Sequence, residues 1–159
     1  MAVPTHRLCA AVAAGLLALA AASAQAAAPR VAIVAENSGA ETTDLLVPLA
    51  VLRDAGVDVR IVAVASGSVS LMPGLTILPD VTLADIETPP EIAVVPAMHD
   101  PDGAALRGAL REWAARGTLM VSICDGAWVL ANAGLLTDRA ATSHWFSMSS
   151  LRSDFPATR

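Results

Sequence analysis

The sequence predicts an α/β domain built on a parallel sheet with helices on both faces. Two observations support this: apolar runs rich in Val, Ile and Ala show no polar alternation, and amphipathic segments separate them. Unbroken apolar runs indicate strands buried on both faces, and strands that alternate with helices form parallel sheets. Aromatic residues make up only 3% of the chain, so small aliphatic side chains must fill this three-layer sandwich.

The elements follow in a regular order. Four buried strands are predicted at 31–35, 57–64, 92–95 and 118–123. Four helices are predicted: one capped by Thr43 or Asp44 and ended by Gly56, one between Gly103 and Arg116, one at 127–133 and one from Ser147. A hairpin is predicted at 69–77, whereas 80–87 is ambiguous. Pro48 is expected near the first turn of its helix, where a missing N–H costs least.

The N-terminus has the pattern of a secretory signal. Arg7 precedes an apolar run at 8–22, and residues 23–26 read as an A-x-A cleavage site. An uncleaved membrane anchor is the alternative, but the run is weakly apolar and shorter than the ~20 residues that a span requires. The predicted organisation is therefore a signal peptide at 1–26, cleaved near Ala26, and a periplasmic or secreted domain at 27–159 with no stable membrane anchor.

Charge restricts the partners of this domain. Without Arg7, nine Arg remain against fifteen Asp and Glu, and the chain contains no Lys. An acidic surface without a basic cluster does not bind a phosphate backbone, so nucleic-acid binding by this segment is not expected. A small molecule is the expected substrate or ligand.

Cys124 is the residue that stands out. Cys9 leaves with the signal peptide, so Cys124 is the only thiol in the mature chain and has no intrachain disulfide partner. A small buried apolar side chain is one interpretation of it. The other follows from its neighbours, because a strand, then Cys124-Asp125-Gly126, then a helix form a nucleophile elbow. The helix N-terminus should lower the thiol pKa, and Asp125 should temper that effect, with a net lowering expected.

These residues carry a resemblance to a known family. The stretch at 122–136, followed by Arg139-Ala140-Ala141-Thr142-Ser143-His144-Trp145, resembles the ThiJ/PfpI superfamily, which has a class I glutamine amidotransferase-like fold. It is most similar to the amidase-like N-terminal domain of GlxA-type regulators. The resemblance implies a flavodoxin-like sandwich and a possible homodimer. It also implies that the domain is incomplete at its C-terminus, because family domains continue past the position of Arg159.

The resemblance also implies site residues. Asp44, four positions before Pro48, matches the acidic partner of the Cys, with a helix cap as the alternative. A carboxyl beside a thiolate should have a raised pKa. His144 matches a His found near the Cys, with packing beside Trp145 as the alternative. The candidate oxyanion- or substrate-binding residues are Ala97, Met98, Asp125 and Gly126, although Ala97-Met98 replaces the usual Gly-Gly of the family.

The function implied is a cysteine-dependent hydrolase, hydratase or glyoxalase-like enzyme acting on a small electrophile. The alternative is a non-catalytic redox or ligand-sensing module. No cofactor is expected. A metal site is disfavoured, because there is one Cys and no His pair at ligand spacing. His99 is expected to be a loop or cap residue, with a ligand role left open.

Overall fold

The computed structural model describes residues 30–159, so the predicted signal peptide lies outside the described residues. The elements of this part of the chain are β1 (Arg30–Ala35), β2 (Ala40–Glu41), α1 (Thr42–Asp54), β3 (Asp58–Ala63), β4 (Val69–Met72), β5 (Leu75–Ile77), β6 (Val81–Thr82), β7 (Ile92–Val95), α2 (Ala104–Ala115), β8 (Leu119–Ser122), α3 (Gly126–Asn132) and α4 (Met148–Asp154). A 3-10 turn at Leu83–Asp85 follows β6. No helix in this range combines the length and hydropathy needed to cross a membrane.

The main sheet has five strands in the order β6-β3-β1-β7-β8, and every pair in it is parallel. The chain moves from β1 to β3 on one side and then to β7 on the other. The strand order therefore reverses between β1 and β7. At such a switch point the loops leaving the carboxyl ends of neighbouring strands diverge and open a crevice. The loops after β1, β7 and β8 meet at this edge.

Helices cover both faces of the sheet, as predicted. Ala32 and Val34 of β1 point toward the face covered by α2, α3 and α4, whose cluster includes Leu110, Trp113 and Leu151. Ile33 of β1 points to the opposite face, where it packs in a cluster with Leu45 and Leu49 of α1. Because alternate residues of β1 are buried on opposite sides, the strand has no polar alternation. The α/β sandwich expected from the apolar runs is confirmed.

A second, three-stranded sheet lies beside α1. Strands β4 and β5 form the predicted antiparallel hairpin, and β2 adds to β4 in parallel. Val69 and Leu71 of β4 are buried in the same cluster as α1. The two-residue strand β2 was not predicted, because a strand that short has no periodicity to detect. It fixes the start of α1.

The start of α1 differs from the prediction. Glu41 is the N-cap residue, and its Oε2 accepts a hydrogen bond of 2.7 Å from the Asp44 amide. Neither Thr43 nor Asp44 caps the helix, because β2 ends at Glu41 and places that side chain over the first turn. Pro48 lies inside the helix, in its second turn, rather than near its first. The Asp44 carboxyl is therefore free for another contact.

Candidate active site

Cys124 lies on a strained turn between β8 and α3. Its φ is 55°, in the left-handed region that non-glycine residues rarely adopt. The turn is closed by a hydrogen bond of 2.9 Å from the Gly126 amide to the Ile123 carbonyl. Sustained strain of this kind requires support from the surrounding structure and is typical of functional sites. The geometry is that of the elbow predicted from the sequence.

Gly126 is required by close packing. A Cβ on this residue would lie 1.9 Å from the carbonyl oxygen of Val95 and 3.0 Å from that of Pro96. Only a residue without a side chain lets the elbow approach the end of β7 this closely. Since the Gly126 amide already donates to Ile123, its contribution is steric, and the amide is not free for the substrate-binding role considered for it.

The structure brings Asp44 and Cys124 together. Asp44 reaches from α1 to the end of β7, where its Oδ2 accepts a hydrogen bond of 3.1 Å from the Ala97 amide. Burial raises the pKa of Asp44 above its ordinary value, the Ala97 hydrogen bond opposes this, and the charge of Glu41 adds to it. A smaller lowering of the Asp44 pKa comes from a hydrogen bond with the Cys124 thiol. The raised pKa has the direction predicted from the sequence.

The pKa of Cys124 is raised, so the predicted net lowering is wrong. Burial is the largest cause, and the charges of Asp44, Asp125 and Glu41 add to it. A hydrogen bond from the Asp125 amide is the one opposing contribution. Helix α3 has only seven residues, and burial of the thiol together with the three neighbouring carboxyl groups outweighs its N-terminus. The thiol therefore needs a base to become nucleophilic at neutral pH.

The loop after β7 is tied to the loop after β1. The Glu41 amide donates to the Ala97 carbonyl at 2.8 Å, and the His99 amide donates to Gly39 at 3.1 Å. Since the Ala97 amide is held by Asp44, it is not free to act in an oxyanion hole. Within residues 30–159, the amides of Met98 and Asp100 in this loop donate to no other residue, so both remain available to another acceptor. His99 itself is exposed, with its ring against Gly39.

The Asp125 carboxylate of the elbow accepts several hydrogen bonds. Its Oδ1 accepts from the Ser143 hydroxyl at 2.7 Å, from the Ser147 hydroxyl and from the His144 amide at 3.3 Å. Burial alone would raise the pKa of Asp125, but these bonds outweigh it and lower the pKa. Sequence reasoning missed this network. The only signal available was a pair of Ser residues flanking His144.

The His144 side chain makes its hydrogen bond and its ring contact within its own segment. Its Nδ1 accepts a hydrogen bond of 3.3 Å from the Phe146 amide, and its ring centroid lies 5.4 Å from that of Trp145. No hydrogen bond joins His144 to Cys124. The ring packs beside Trp145, as the packing alternative expects, and the proton-transfer role of His144 stays a prediction.

A cavity of about 490 Å³ adjoins the elbow. Its apolar wall includes Met98, Trp128 and Phe146, and its polar groups include His99, Asp125 and Ser147. A larger cavity of about 710 Å³ runs along β8, and no residue of the elbow lines it. Cys124 and Asp44 line neither cavity, whereas Asp125, next to Cys124, lines the smaller one. We therefore assign the smaller cavity to the site. Among residues 30–159, no group of His, Cys, Asp and Glu side chains is arranged to hold a metal ion.

Comparisons with known proteins agree with this fold. The sequence matches the DJ-1/PfpI family over residues 29–154. A protein from Streptomyces lividans, described as an uncharacterized protein in the cpoL 5' region, is 49% identical over 45 residues, which are 28% of this chain and 32% of that protein. The chain thus spans about a third of that relative's length.

Two solved structures give the same result. Oxidized DJ-1 from Toxoplasma gondii is 25% identical with a TM-score of 0.70, covering 80% of this chain and 73% of that one. A ThiJ/PfpI family protein from Pseudomonas syringae is 25% identical with a TM-score of 0.71, covering 82% and 56%. The finer resemblance to GlxA-type regulators stays a prediction. The family match over most of the chain, together with the parallel sheet, shows that this protein belongs to the DJ-1/PfpI family.

Proposed function

We propose that this protein is an exported cysteine-dependent enzyme in which Cys124 attacks a small electrophile. The observation that carries the proposal is the proximity of the Cys124 thiol and the Asp44 carboxyl at the switch point of the sheet, since each group shifts the pKa of the other. Both groups have a raised pKa. A carboxyl that titrates nearer to neutrality can take a proton from the thiol and return it later. Hydrolase, hydratase and glyoxalase-like reactions all use this exchange.

The proposed first step conserves atoms and charge. Asp44 accepts the thiol proton while the sulfur forms a bond to the electrophilic carbon, and for a carbonyl the π electrons move to its oxygen. The Met98 amide is a donor available to that oxygen. Protonated Asp44 then returns the proton to the oxygen, which gives a neutral thiohemiacetal with an aldehyde. The cavity lined by Trp128 and Phe146 would hold the remainder of the substrate.

The alternative is a redox or ligand-sensing module without turnover. The position of the His144 ring and the occupied Ala97 amide favour it, because both leave the site with fewer groups for chemistry. The similar solved structure described as oxidized DJ-1 is a second reason to consider a redox module.

Turnover tests the choice between them. The wild type and Cys124→Ser would be assayed with glyoxals, isocyanides and small amides, and we expect at least one Cys-dependent reaction, at least ~100-fold slower in the Ser variant. Peroxide treatment followed by mass spectrometry of the intact protein provides the second readout. Formation of a sulfinate or ligand binding, with no Cys-dependent turnover on any of the three classes, would rule out the enzyme.

Export has its own test. The predicted signal at 1–26 and the absence of a second cysteine in the mature chain support it. We expect the protein in the periplasm or medium with an N-terminus near Ala27. Recovery from the cytoplasm with Met1 intact would contradict export without affecting the proposal for Cys124.

A further inference from the structure

Asp125 belongs to the elbow, but its carboxyl is directed to a distant segment. All three of its partners lie within Ser143–Ser147, which we call the strap, and all three bonds converge on Oδ1. The Ser143 hydroxyl also lies 3.3 Å from the Cys124 carbonyl oxygen. The strap is therefore tied to the two residues that form the turn.

Ser147 provides independent support for this tie. It is the N-cap residue of α4, a position where a Ser hydroxyl usually accepts a hydrogen bond from the first turn. Here its side chain makes no capping bond and donates to Asp125 instead. The Ser147 hydroxyl also lies 3.2 Å from the His144 carbonyl oxygen, so this side chain is turned toward the strap and Asp125 rather than toward the first turn of α4.

The strap forms one side of the cavity. Phe146 and Ser147 line it together with Met98 and Trp128. Phe146 and Trp145 are 75% and 80% exposed, so packing does little to fix their positions. The bonds to Asp125 before and after this aromatic pair join it to the elbow, whereas its other hydrogen bonds and ring contacts lie within the strap.

We propose that Asp125 is a positioning residue that clamps the strap and so makes Phe146 one wall of the substrate cavity. Asp125 takes no part in bond making. The role rests on the proposed function, since it concerns how a substrate of Cys124 is held. The clamp requires a hydrogen-bond acceptor at position 125. The negative charge of Asp125 affects only the pKa of the neighbouring Cys124 thiol.

Two substitutions separate acceptor from charge. Asp125→Asn keeps an Oδ1 acceptor and removes the charge, while Asp125→Ala removes both. Cys124 would be alkylated with iodoacetamide and with N-benzyl iodoacetamide; in both, the sulfur displaces iodide from carbon. The ratio of the benzyl to the unsubstituted rate constant measures how well the aromatic wall holds the benzyl group. For each reagent, the half-saturation concentration reports binding, and the maximal rate reports the alkylation step. The pH profile reports the thiol.

We expect the wild type to prefer the benzyl reagent, and Asp125→Asn to keep that ratio. In Asp125→Ala the ratio should fall about fivefold, because a lost hydrogen bond corresponds to ~1 kcal/mol, and the loss should lie in half-saturation. Both variants should shift the alkylation profile to lower pH, since each removes a carboxylate beside the thiol. Asp125→Asn should therefore keep the preference for the benzyl reagent although it lacks the negative charge.

A second pair of changes keeps the test decisive if Asp125→Ala does not fold. Combining Ser143→Ala with Ser147→Ala removes both hydroxyl donors and leaves the charge, so the ratio should fall with an unshifted pH profile. Ser149→Ala, an exposed position of α4, is the control. An unchanged ratio in the double variant, or an equal fall in Asp125→Asn and Asp125→Ala, would overturn the clamp. Alkylation needs no turnover, so this result and that for the enzyme are independent.

Discussion

The two carboxyl groups that flank Cys124 are the same residue type with opposite behaviour. Asp44, from α1, accepts a backbone hydrogen bond from Ala97, and burial raises its pKa. Asp125, from the elbow, accepts three hydrogen bonds from the strap, and its pKa is lowered. The number of donors, rather than sequence distance from the thiol, decides which carboxyl can exchange a proton.

This difference assigns two separate roles. A raised pKa makes Asp44 a better proton acceptor than an ordinary Asp, so this carboxyl suits acid-base chemistry. A carboxyl held ionised by several donors suits a fixed structural contact. Both charges raise the pKa of Cys124, so the thiol is kept protonated until Asp44 takes the proton.

The largest expected effect comes from disrupting the close packing of the elbow, which carries Asp125, against the end of β7, where Asp44 is bound. In Gly126→Ala the new Cβ would lie 1.9 Å from the Val95 carbonyl oxygen, so the elbow must move away from the loop that carries Ala97. We expect a loss of about 3 kcal/mol in the free energy of unfolding, measured by urea denaturation.

Gly108→Ala is the matched control. Gly108 lies within α2 with nothing within 4 Å of a new Cβ, so a gain of roughly 0.5–1 kcal/mol is expected. Equal responses of the two variants would show that the close approach to β7 is unimportant.

The next effect sharpens the assignment of Asp44. Asp44→Asn retains an acceptor for the Ala97 amide but cannot take the thiol proton. We expect turnover to fall about 100-fold, the lower end of general acid-base contributions. Alkylation by iodoacetamide at the same pH should not fall, because removal of a neighbouring charge lowers the thiol pKa. Asp54→Asn, exposed at the end of α1, is the control, and a parallel fall in turnover and alkylation would contradict the assignment.

The smallest expected effect tests the negative charges that surround Cys124. Iodoacetate should alkylate Cys124 a few-fold more slowly than iodoacetamide, relative to a free cysteine peptide, because Asp44, Asp125 and Glu41 repel an anion. The deficit should shrink as salt screens these partly buried charges. An anionic reagent that reacts as fast as the neutral one, at low salt, would mean that the carboxyl groups are neutral or remote from the path of approach.

Local sequence predicted the framework well. The buried strands of the main sheet, the hairpin and the elbow each depend on neighbours along the chain, such as an apolar run or a Gly after Cys124. The contacts of the site join distant residues. Asp44 and Ala97 are 53 positions apart, and Asp125 and Ser147 are 22 apart. The pairing of Asp44 with Cys124 came from the family resemblance, and the pairing of Asp125 with the strap was not predicted.

The sequence by itself determined the α/β framework and placed one thiol on a strained turn, because apolar periodicity and the small size of Gly126 act over a few residues. Only the tertiary structure decided the charge state around that thiol. The pKa values of Cys124, Asp44 and Asp125 depend on burial and on donors from other segments, which exist only when the loops after β1 and β7 and the strap are brought together. That dependence is why a helix N-terminus predicted a lowered thiol pKa, whereas burial, with three surrounding carboxyl groups adding to it, raises that pKa.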